Sequence, residues 1–269
     1  MTLLQPNTHL KPKDVKKHIL LVGGENVTDV ITILTPLSSF KEIATNKGFH
    51  TYDCKIDKKG YEFTLCLTGV GPSNTEIAVN ELAKCGGRLF IRAGTSGSLR
   101  RNHVLESVII TSEALRFDGV SDLYVNKNFK ATPSDSVNRA LIASAQDLQI
   151  DYYLGKTIST SSFYAMGGIY KEGRLEYNGY VPHRNYQPRI FDKFKQLLSK
   201  EKFSNIEMEA ATLLTLSRIL KLKAGVVCGL SNYIPWKPNE QTQHTYKSLE
   251  NSIHVALRAI ERLKNTEKS

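Results

Sequence analysis

Long hydrophobic runs are missing from this 269-residue chain. No apolar segment approaches the roughly 18 residues that a membrane-spanning helix needs, and Met1–His18 lacks the continuous apolar core of a secretory signal peptide. These two absences favour a soluble, cytoplasmic protein with no membrane partner.

Cysteine is also scarce. The four cysteines, Cys54, Cys66, Cys85 and Cys228, lie far apart, with no C-x-x-C pair and no zinc-like spacing. In the reducing cytoplasm such cysteines are predicted to be free thiols. The sequence therefore predicts no disulfide and no bound metal.

The glycine fingerprints of common nucleotide cofactors are absent as well. The first apolar run, His18–Val22, is followed by Gly23-Gly24, a place where a nucleotide-binding turn could lie. These glycines form neither G-x-G-x-x-G nor the G-x-x-x-x-G-K-[ST] of a P-loop. We therefore expect no dinucleotide or ATP cofactor.

No Pro/Ser/Gly-rich linker and no internal repeat divides the chain. Its length suits one large α/β domain or two small ones, and 41% hydrophobic residues suffice for a proper core. The missing linker favours a single domain over residues 1–269, with an N-terminal arm at 1–17 and a basic tail at 264–269.

Basic residues outnumber acidic ones, which gives a formal net charge of +10. The lysines are spread along the chain, and no basic motif interleaved with aromatic residues accompanies them. The sequence therefore predicts no nucleic-acid partner. Solvated lysines and a small anionic substrate explain the charge equally well.

The apolar pattern predicts strands alternating with helices. Buried or alternating runs indicate strands at His18–Val22, His50–Ile56, Tyr61–Leu67, Leu89–Ile91, Val104–Thr111 and Ala224–Leu230, with a hydroxyl-rich strand from Ile158. Helical spacing indicates helices at Val27–Leu37, Phe40–Asn46, Thr75–Cys85, Ser134–Gln149, Phe191–Lys202, Asn205–Leu220 and Ser248–Leu263. Gly167–Gln187 is predicted to be a loop. The alternation, with a hairpin across residues 57–60, predicts a mixed sheet with helices on both faces.

The stretch Ile91-Arg92-Ala93-Gly94-Thr95-Ser96-Gly97-Ser98 is the first candidate for a ligand site. An apolar strand is predicted to end here in a turn that holds two glycines, short hydroxyls and one arginine. Such a turn gathers N–H groups, hydroxyls and a guanidinium at the carboxyl end of a strand, where open α/β sheets bind ligands. We interpret the stretch as an anion site; a structural salt bridge of Arg92 is the alternative.

Three stretches occur in a fixed order: Arg92-Ala-Gly-Thr-Ser-Gly97, Ile206-Glu-Met-Glu-Ala210 at the head of a predicted helix, and a strand ending in Ser231-Asn232. Together, over about His9 to Leu263, they resemble the nucleoside phosphorylase family that contains uridine phosphorylases and hexamer-type purine nucleoside phosphorylases. The resemblance implies one α/β domain around a central mixed, barrel-like β-sheet flanked by helices. It also implies reversible phosphorolysis of a nucleoside to a free base and ribose 1-phosphate, with inorganic phosphate as co-substrate. The implied assembly is a homo-oligomer, a dimer or a hexamer, in which neighbouring subunits share a site.

The resemblance assigns four residues to the ribose. Glu209 would accept hydrogen bonds from the 2′- and 3′-hydroxyls, Met208 would pack under the sugar, and Glu207 stands beside them. His9 resembles the histidine that a neighbouring subunit lends to the 5′-hydroxyl. The alternative for the two carboxylates is that they favour the positive end of a helix dipole.

For the phosphate, the resemblance assigns Arg92 and Thr95, with Ser96 close by. The family also uses a G-D-P-x-R turn after the first strand, and here that turn is Gly24-Glu25-Asn26-Val27-Thr28. Its glycine, Gly24, is kept, but Glu25 and Thr28 stand where the family has an aspartate and an arginine.

A second family arginine, lent by the adjacent subunit, is also replaced. Its R-E-[FY] position is Lys47-Gly48-Phe49 in this chain, and Lys47 lacks the bidentate fork of arginine. Losing one charged hydrogen bond to phosphate costs on the order of 1.5–3 kcal/mol. We therefore expect a weakened phosphate site.

For the base, Phe163 and Tyr164 match the stacking aromatics of the family, with buried core aromatics as the alternative. Trp236, in the turn Pro235-Trp-Lys-Pro238, resembles a lid segment of some protozoan purine enzymes. Gly167 and Ile169 stand where uridine phosphorylases have a Gln and an Arg that read uracil, which argues against a uracil-specific pocket.

Asn232 stands where purine enzymes of this branch place an aspartate that protonates N7 of the purine. An amide donates a hydrogen bond but delivers no proton as a general acid. This favours 6-oxopurines over 6-aminopurines. The sequence thus predicts a purine-preferring nucleoside phosphorylase, in which Arg92, Glu209 and Asn232 act on the reacting groups. A uridine phosphorylase, a nucleoside hydrolase of the same fold and a non-catalytic nucleoside-binding paralogue are the alternatives.

Overall fold

The computed structural model describes residues 4–56, 60–177, 186–200, 202–237 and 244–266. Six sequence predictions fall partly outside these residues. They are the start of the N-terminal arm, the turn at 57–60, part of the loop at 167–187, residue 201 of the helix predicted at Phe191–Lys202, the Pro238 end of the lid turn and the end of the basic tail.

Strands and helices alternate along the described residues, as the apolar pattern predicts. The strands are β1 (His18–Val22), β2 (Ser38–Asn46), β3 (Phe49–Ile56), β4 (Tyr61–Leu67), β5 (Leu89–Ser98), β6 (Val108–Phe117), β7 (Tyr152–Thr160), β8 (Ile169–Lys171), β9 (Arg174–Glu176), β10 (Asn205–Glu207) and β11 (Lys223–Tyr233). The helices are α1 (Val27–Leu34), α2 (Pro72–Lys84), α3 (Asp135–Asp147), α4 (Phe191–Ser199), α5 (Ala210–Ile219) and α6 (Thr245–Thr266), with a short 3-10 turn at Ser121–Leu123. None of the described helices is long and apolar enough to cross a membrane.

Nine strands form one mixed sheet in the order β10-β7-β6-β11-β5-β1-β4-β3-β2. Strand β5 lies parallel to both β1 and β11, whereas β11 and β6 are antiparallel. Strand β10 also pairs with β5, so the five strands from β10 to β5 close into a barrel and the remaining four extend it. The single α/β domain with a mixed, barrel-like sheet is confirmed.

Helices cover both faces of this sheet. Helices α1, α3 and α6 pack their apolar sides on one face, around buried residues such as Ile91 and Val227. Helices α2 and α5 pack on the other face, around Phe90 and Val226. Because Ile91 and Phe90 are neighbours on β5, their opposite directions follow from the alternation of side chains along a strand. The four cysteines are buried and free.

The predicted N-terminal arm is anchored to the domain over its described residues. The carboxylate of Glu81 on α2 accepts hydrogen bonds from the N–H and hydroxyl of Thr8, both at 2.7 Å, and from the N–H of Asn7 at 3.1 Å. Leu10 and Val15 are buried in the core. At the other end, the predicted basic tail begins inside α6, which continues to Thr266.

The helix predicted at Phe40–Asn46 is wrong, because this segment is strand β2. It pairs antiparallel with β3, and the two are joined by the two-residue turn Lys47-Gly48. Both turn residues have positive φ, 48° and 83°, as tight hairpin turns between twisted strands require. The pairing partner decides the conformation of this weakly patterned segment.

Three further segments differ from the sequence prediction in ways that matter for the sheet. Strand β6 begins at Val108 rather than Val104, and a short hairpin, β8–β9, lies inside the predicted loop at Gly167–Gln187. The helix predicted to begin at Asn205 starts only at Ala210, because residues 205–207 form β10 between β7 and β5.

The predicted turn after Leu89–Ile91 is also wrong, because β5 continues to Ser98. The glycines in it permit close approach rather than chain reversal. A Cβ on Gly94 would lie 2.3 Å from a guanidinium nitrogen of Arg92, and one on Gly97 would lie 2.6 Å from the side chain of Ile234. The stretch that carries the candidate site is therefore a rigid, central strand.

Candidate functional site

A cavity of about 250 Å³ opens at the carboxyl ends of the parallel strands β1, β5 and β11. Its volume lies just below the roughly 300–1,000 Å³ of typical small-molecule sites. It brings together most of the residues that the sequence predicts: Gly24, Arg92, Thr95, Ser96, Phe163, Glu207, Met208, Glu209 and Asn232.

Arg92 is the cation at the floor of this cavity, and it is only 3% exposed. Its Nε donates to Glu207 at 3.0 Å, one terminal nitrogen donates to Glu209, and the other donates to the carbonyl of Ala93 at 3.2 Å. Every arm of the guanidinium thus has an acceptor within the domain. The structural salt bridge that was the alternative interpretation of Arg92 is present, at the same place as the predicted ligand site.

The protonation of Glu209 depends on these neighbours. Burial and the charge of Glu207 raise the pKa of Glu209 to about 7, although the guanidinium of Arg92 acts in the opposite direction. Burial by itself lowers the pKa of Arg92, but the charges of Glu209 and Glu207 raise it overall, so Arg92 stays charged. Near neutral pH, Glu209 therefore gains or loses a proton.

The two glutamates occupy different structural positions. Glu207 ends β10, and its carboxylate accepts the N–H groups of Glu209 and Ala210 at 2.9 Å, which caps the start of α5. Glu209 caps the same helix with its backbone, while its carboxylate accepts the N–H of Gly71 at 2.5 Å. Both glutamates line the cavity, but Glu207 is tied to the start of α5 and Glu209 to the N–H of Gly71.

Thr95 offers two donors at the cavity wall, and a carboxylate already occupies them. One carboxylate oxygen of Glu25 accepts both the N–H and the hydroxyl of Thr95, each at 2.8 Å. The contact follows from sheet pairing, because Val22 at the end of β1 lies beside Ala93 on β5. The sequence places Glu25 in the phosphate turn but gives no sign of this contact.

Ser96 is held by structural hydrogen bonds. The side-chain amide of Asn205 donates to its hydroxyl at 2.9 Å, and the hydroxyl of Thr157 donates to the Asn205 oxygen at 2.8 Å. This buried chain ties β5, β10 and β7 together where the barrel closes. Ser96 lines the cavity, but its hydroxyl supports the barrel.

Phe163 forms the outer wall and is 62% exposed, so it is not the core aromatic of the alternative interpretation. Its neighbour Tyr164 contacts it edge-on, with ring centroids 5.2 Å apart. Thr160, Ser162 and Met166 complete this end of the cavity and were not assigned from the sequence. For Thr160 and Ser162, the hydroxyl-rich stretch just before Phe163 is the sequence signal that could have identified them.

Asn232 lies just past an irregularity in β11, where the pairing with β5 shifts by one residue between Leu230 and Asn232. Bulges of this kind redirect side chains next to active sites. The hydroxyl of Ser231 donates to the Asn232 side-chain oxygen at 3.0 Å, which orients the amide nitrogen as the group left to donate. Its contact with the carbonyl of Tyr233, at 3.4 Å, is long.

Four predicted residues do not line the cavity in the described structure: His9, Lys47, Tyr164 and Trp236. The backbone of Trp236 pairs with the β8 segment, its carbonyl accepting the N–H of Tyr170 at 2.9 Å. Lys47 donates to the side chain of Asn7 at 3.0 Å, so Lys47 and the N-terminal segment that carries His9 meet elsewhere on the surface.

Comparisons with known proteins show the family to which the chain is similar. The family model described as the phosphorylase superfamily matches residues 18–263. A uridine phosphorylase of Thermococcus kodakarensis is 35% identical over 227 residues, covering 84% of this chain and 76% of that protein. A guanosine phosphorylase of Halorubrum lacusprofundi is 25% identical over 263 residues, covering 95% of this chain and 98% of that protein.

A solved structure shares the fold. The crystal structure of purine nucleoside phosphorylase from Toxoplasma gondii in complex with immucillin-H superposes with a TM-score of 0.79 at 21% identity, over 98% of this chain and 97% of that one. The family model and the T. kodakarensis relative both extend over most of the sequence. The chain therefore belongs to the phosphorylase superfamily.

Proposed function

We propose that this protein cleaves nucleosides by phosphorolysis and prefers 6-oxopurine nucleosides. One observation carries the proposal: a single cavity unites an arginine and a threonine for an anion, a glutamate and a methionine for a sugar, an exposed aromatic ring for a base and an amide at its far end. Its members Arg92, Thr95, Glu209, Phe163 and Asn232 are the residue types that such a reaction requires.

In this proposal a phosphate oxygen attacks C1′ of the ribose while the bond from C1′ to the base nitrogen breaks. The sugar passes through an oxocarbenium-like state, which the anionic phosphate and the ionised carboxylate of Glu209 stabilise. Glu209 also accepts hydrogen bonds from the sugar hydroxyls, and it does so best when deprotonated. Because its pKa lies at about 7, activity rises as the pH passes from 6 to 8.

The base preference rests on Asn232. Its amide nitrogen donates a hydrogen bond to O6 or N7 of a 6-oxopurine, both of which are acceptors, as negative charge develops on the leaving base. An amide has no proton to transfer, so a 6-aminopurine gains less from it. Phe163 stacks on the base from the open side of the cavity.

Uridine is the second candidate substrate, because the T. kodakarensis relative that is 35% identical is named a uridine phosphorylase. Uracil O4 also accepts a hydrogen bond, so the Asn232 amide is compatible with it. Against uridine, Gly167 and Ile169 offer no side chain that hydrogen-bonds the uracil edge.

A substrate panel tests the proposal. Inosine, guanosine, adenosine and uridine are each incubated with the protein, with and without inorganic phosphate, and free base and ribose 1-phosphate are measured by chromatography. Release of hypoxanthine that requires phosphate supports the proposal. Uracil without hypoxanthine would move the substrate to pyrimidines, and release without phosphate would make the protein a hydrolase. Binding by calorimetry without any product would make it a nucleoside-binding paralogue.

The proposal extends to a homo-oligomer in which His9 and Lys47 reach a neighbouring subunit's cavity. Asn7, which lies just before His9, holds this N-terminal segment against the β2–β3 turn that carries Lys47. Its side-chain oxygen accepts from Lys47 at 3.0 Å, and its carbonyl accepts from the side-chain amide of Asn46 at 2.7 Å. His9 and Lys47 are both exposed on the single chain, and neither lines that chain's own cavity. Light scattering measures the assembly, and mixing His9→Ala chains with Glu209→Gln chains tests whether active sites are shared.

A further inference from the structure

The phosphate position of the proposed site holds a carboxylate of the chain itself. Glu25, in the turn after β1, places one oxygen within 2.8 Å of both the N–H and the hydroxyl of Thr95. A backbone N–H and an adjacent hydroxyl are the donors that an oxyanion seeks, and a carboxylate oxygen satisfies them as a phosphate oxygen would. Glu25 and an incoming phosphate therefore need the same two donors.

The charges around the cavity also oppose phosphate binding. The described lining residues include three carboxylates, Glu25, Glu207 and Glu209, and one guanidinium, that of Arg92. The guanidinium is already engaged by Glu207 and Glu209. A phosphate that arrives while Glu25 stays in place thus meets occupied donors and excess negative charge.

The position of Glu25 allows its side chain to move away from Thr95. It is half-buried rather than enclosed, and it precedes the residue that caps α1. That capping belongs to Asn26, whose side-chain oxygen accepts the N–H of Thr28 at 2.8 Å. The Glu25 side chain can therefore rotate toward solvent without disturbing the start of the helix.

We propose that Glu25 is an internal competitor of inorganic phosphate at Thr95 and so sets the phosphate concentration at which the nucleophile enters the site. The proposal rests on the proposed function, since it assigns the Thr95 donors to the phosphate. Phosphate binding requires the carboxylate to give up two charged hydrogen bonds. Removing the Glu25 carboxylate is therefore expected to tighten phosphate binding by tenfold or more. A tenfold change in affinity corresponds to about one charged hydrogen bond.

The experiment measures binding of inorganic phosphate by calorimetry, without nucleoside, to the full chain. Glu25→Ala clears the donors, and Glu25→Gln keeps the shape but removes the charge. Asp29→Ala is the matched control, because it removes one negative charge from the first turn of α1 and does not line the cavity. Thermal melting checks that each variant is folded.

We expect the phosphate Kd to fall at least tenfold in Glu25→Ala and several-fold in Glu25→Gln, and to change less than twofold in Asp29→Ala. An unchanged Kd in both Glu25 variants overturns the proposal, and so does weaker binding, which would make Glu25 a residue that positions Thr95 for phosphate. If the Glu25 variants bind phosphate more tightly but neither they nor the wild-type protein cleaves any nucleoside, the competitor stands and the proposed function fails. If wild-type protein phosphorolyses inosine and Glu25 has no effect on phosphate binding, the function stands and the competitor fails.

Discussion

Replacing Arg92 with methionine tests the charge arrangement at the centre of the site. The substitution retains much of the buried volume but removes the only guanidinium among the described cavity-lining residues, so Glu207 and Glu209 face each other without a cation. Removing one member of a buried ion pair costs about 3–5 kcal/mol, because the remaining charge stays buried and unpaired. We expect a loss of that size at pH 8, which corresponds to a melting temperature lower by roughly 6–20 °C.

The loss depends on pH in a direction that the structure defines. Arg92 lowers the pKa of Glu209, so its removal raises that pKa above the value of about 7 in the intact site. The folded variant then holds a proton near neutral pH that the unfolded chain, with an ordinary glutamate pKa, does not hold. Its stability therefore rises as the pH falls from 8 to 6, by at least about 1 kcal/mol.

The assay is thermal unfolding at pH 6 and pH 8, at one protein concentration. Arg88→Met is the matched control, because the described hydrogen bonds of the Arg88 side chain go to the carbonyls of Ala83 and Gly87, so its removal leaves no carboxylate unpaired. Adding Glu209→Gln to the Arg92 variant should recover stability at pH 8. A loss no greater than that of Arg88→Met, or an equal loss at both pH values, would refute the reasoning.

Three further predictions concern packing, the base and the leaving group. Gly229→Ala places a Cβ 2.0 Å from the carbonyl oxygen of Ser248 on α6, so we expect at least about 3 kcal/mol of destabilisation by denaturant unfolding; a midpoint equal to that of the wild type contradicts the close approach of strand and helix. Phe163→Ala should raise the nucleoside KM roughly 5- to 100-fold through lost stacking, and Tyr164→Ala, its exposed neighbour outside the cavity, less than threefold; equal effects would remove Phe163 from the base site. Asn232→Asp supplies a group that can protonate the base, so the ratio of kcat/KM for adenosine to that for inosine should rise at least tenfold, and an unchanged ratio in a spectrophotometric assay would place Asn232 away from the leaving group.

The local pattern predicts the elements whose conformation depends on their own residues. The strand His18–Val22, the antiparallel pair across residues 57–60 and the helices near Thr75–Cys85 and Ser134–Gln149 all lie within a few residues of their predicted bounds. Each has a strong apolar period of its own, which fixes both its type and its buried face.

The sequence predictions are wrong where a pairing strand or a tertiary contact determines the conformation of a segment. Phe40–Asn46 becomes a strand because β3 pairs with it, and residues 205–207 become a strand because β7 and β5 flank them. In the sequence, the glycines in Arg92–Gly97 indicate a turn. In the structure, they leave room for the guanidinium of Arg92 and the side chain of Ile234, which pass close to the strand. A local pattern of apolar residues contains none of these contacts, whether the neighbour is near in sequence, as Arg92 is to Gly94, or far from it, as Ile234 is from Gly97.

The sequence by itself determined the residue types of this site: an arginine and hydroxyls after an apolar run, two glutamates around a methionine, two adjacent aromatics and an amide, in the order that resembles nucleoside phosphorylases. Only the tertiary structure decided which of these residues form ion pairs and hydrogen bonds with one another. It placed Arg92 between Glu207 and Glu209, and it placed Glu25 on the donors of Thr95. The physical reason is that a hydrogen bond between strands depends on sheet register and side-chain direction, which the closure of the barrel fixes and a linear pattern of residues does not.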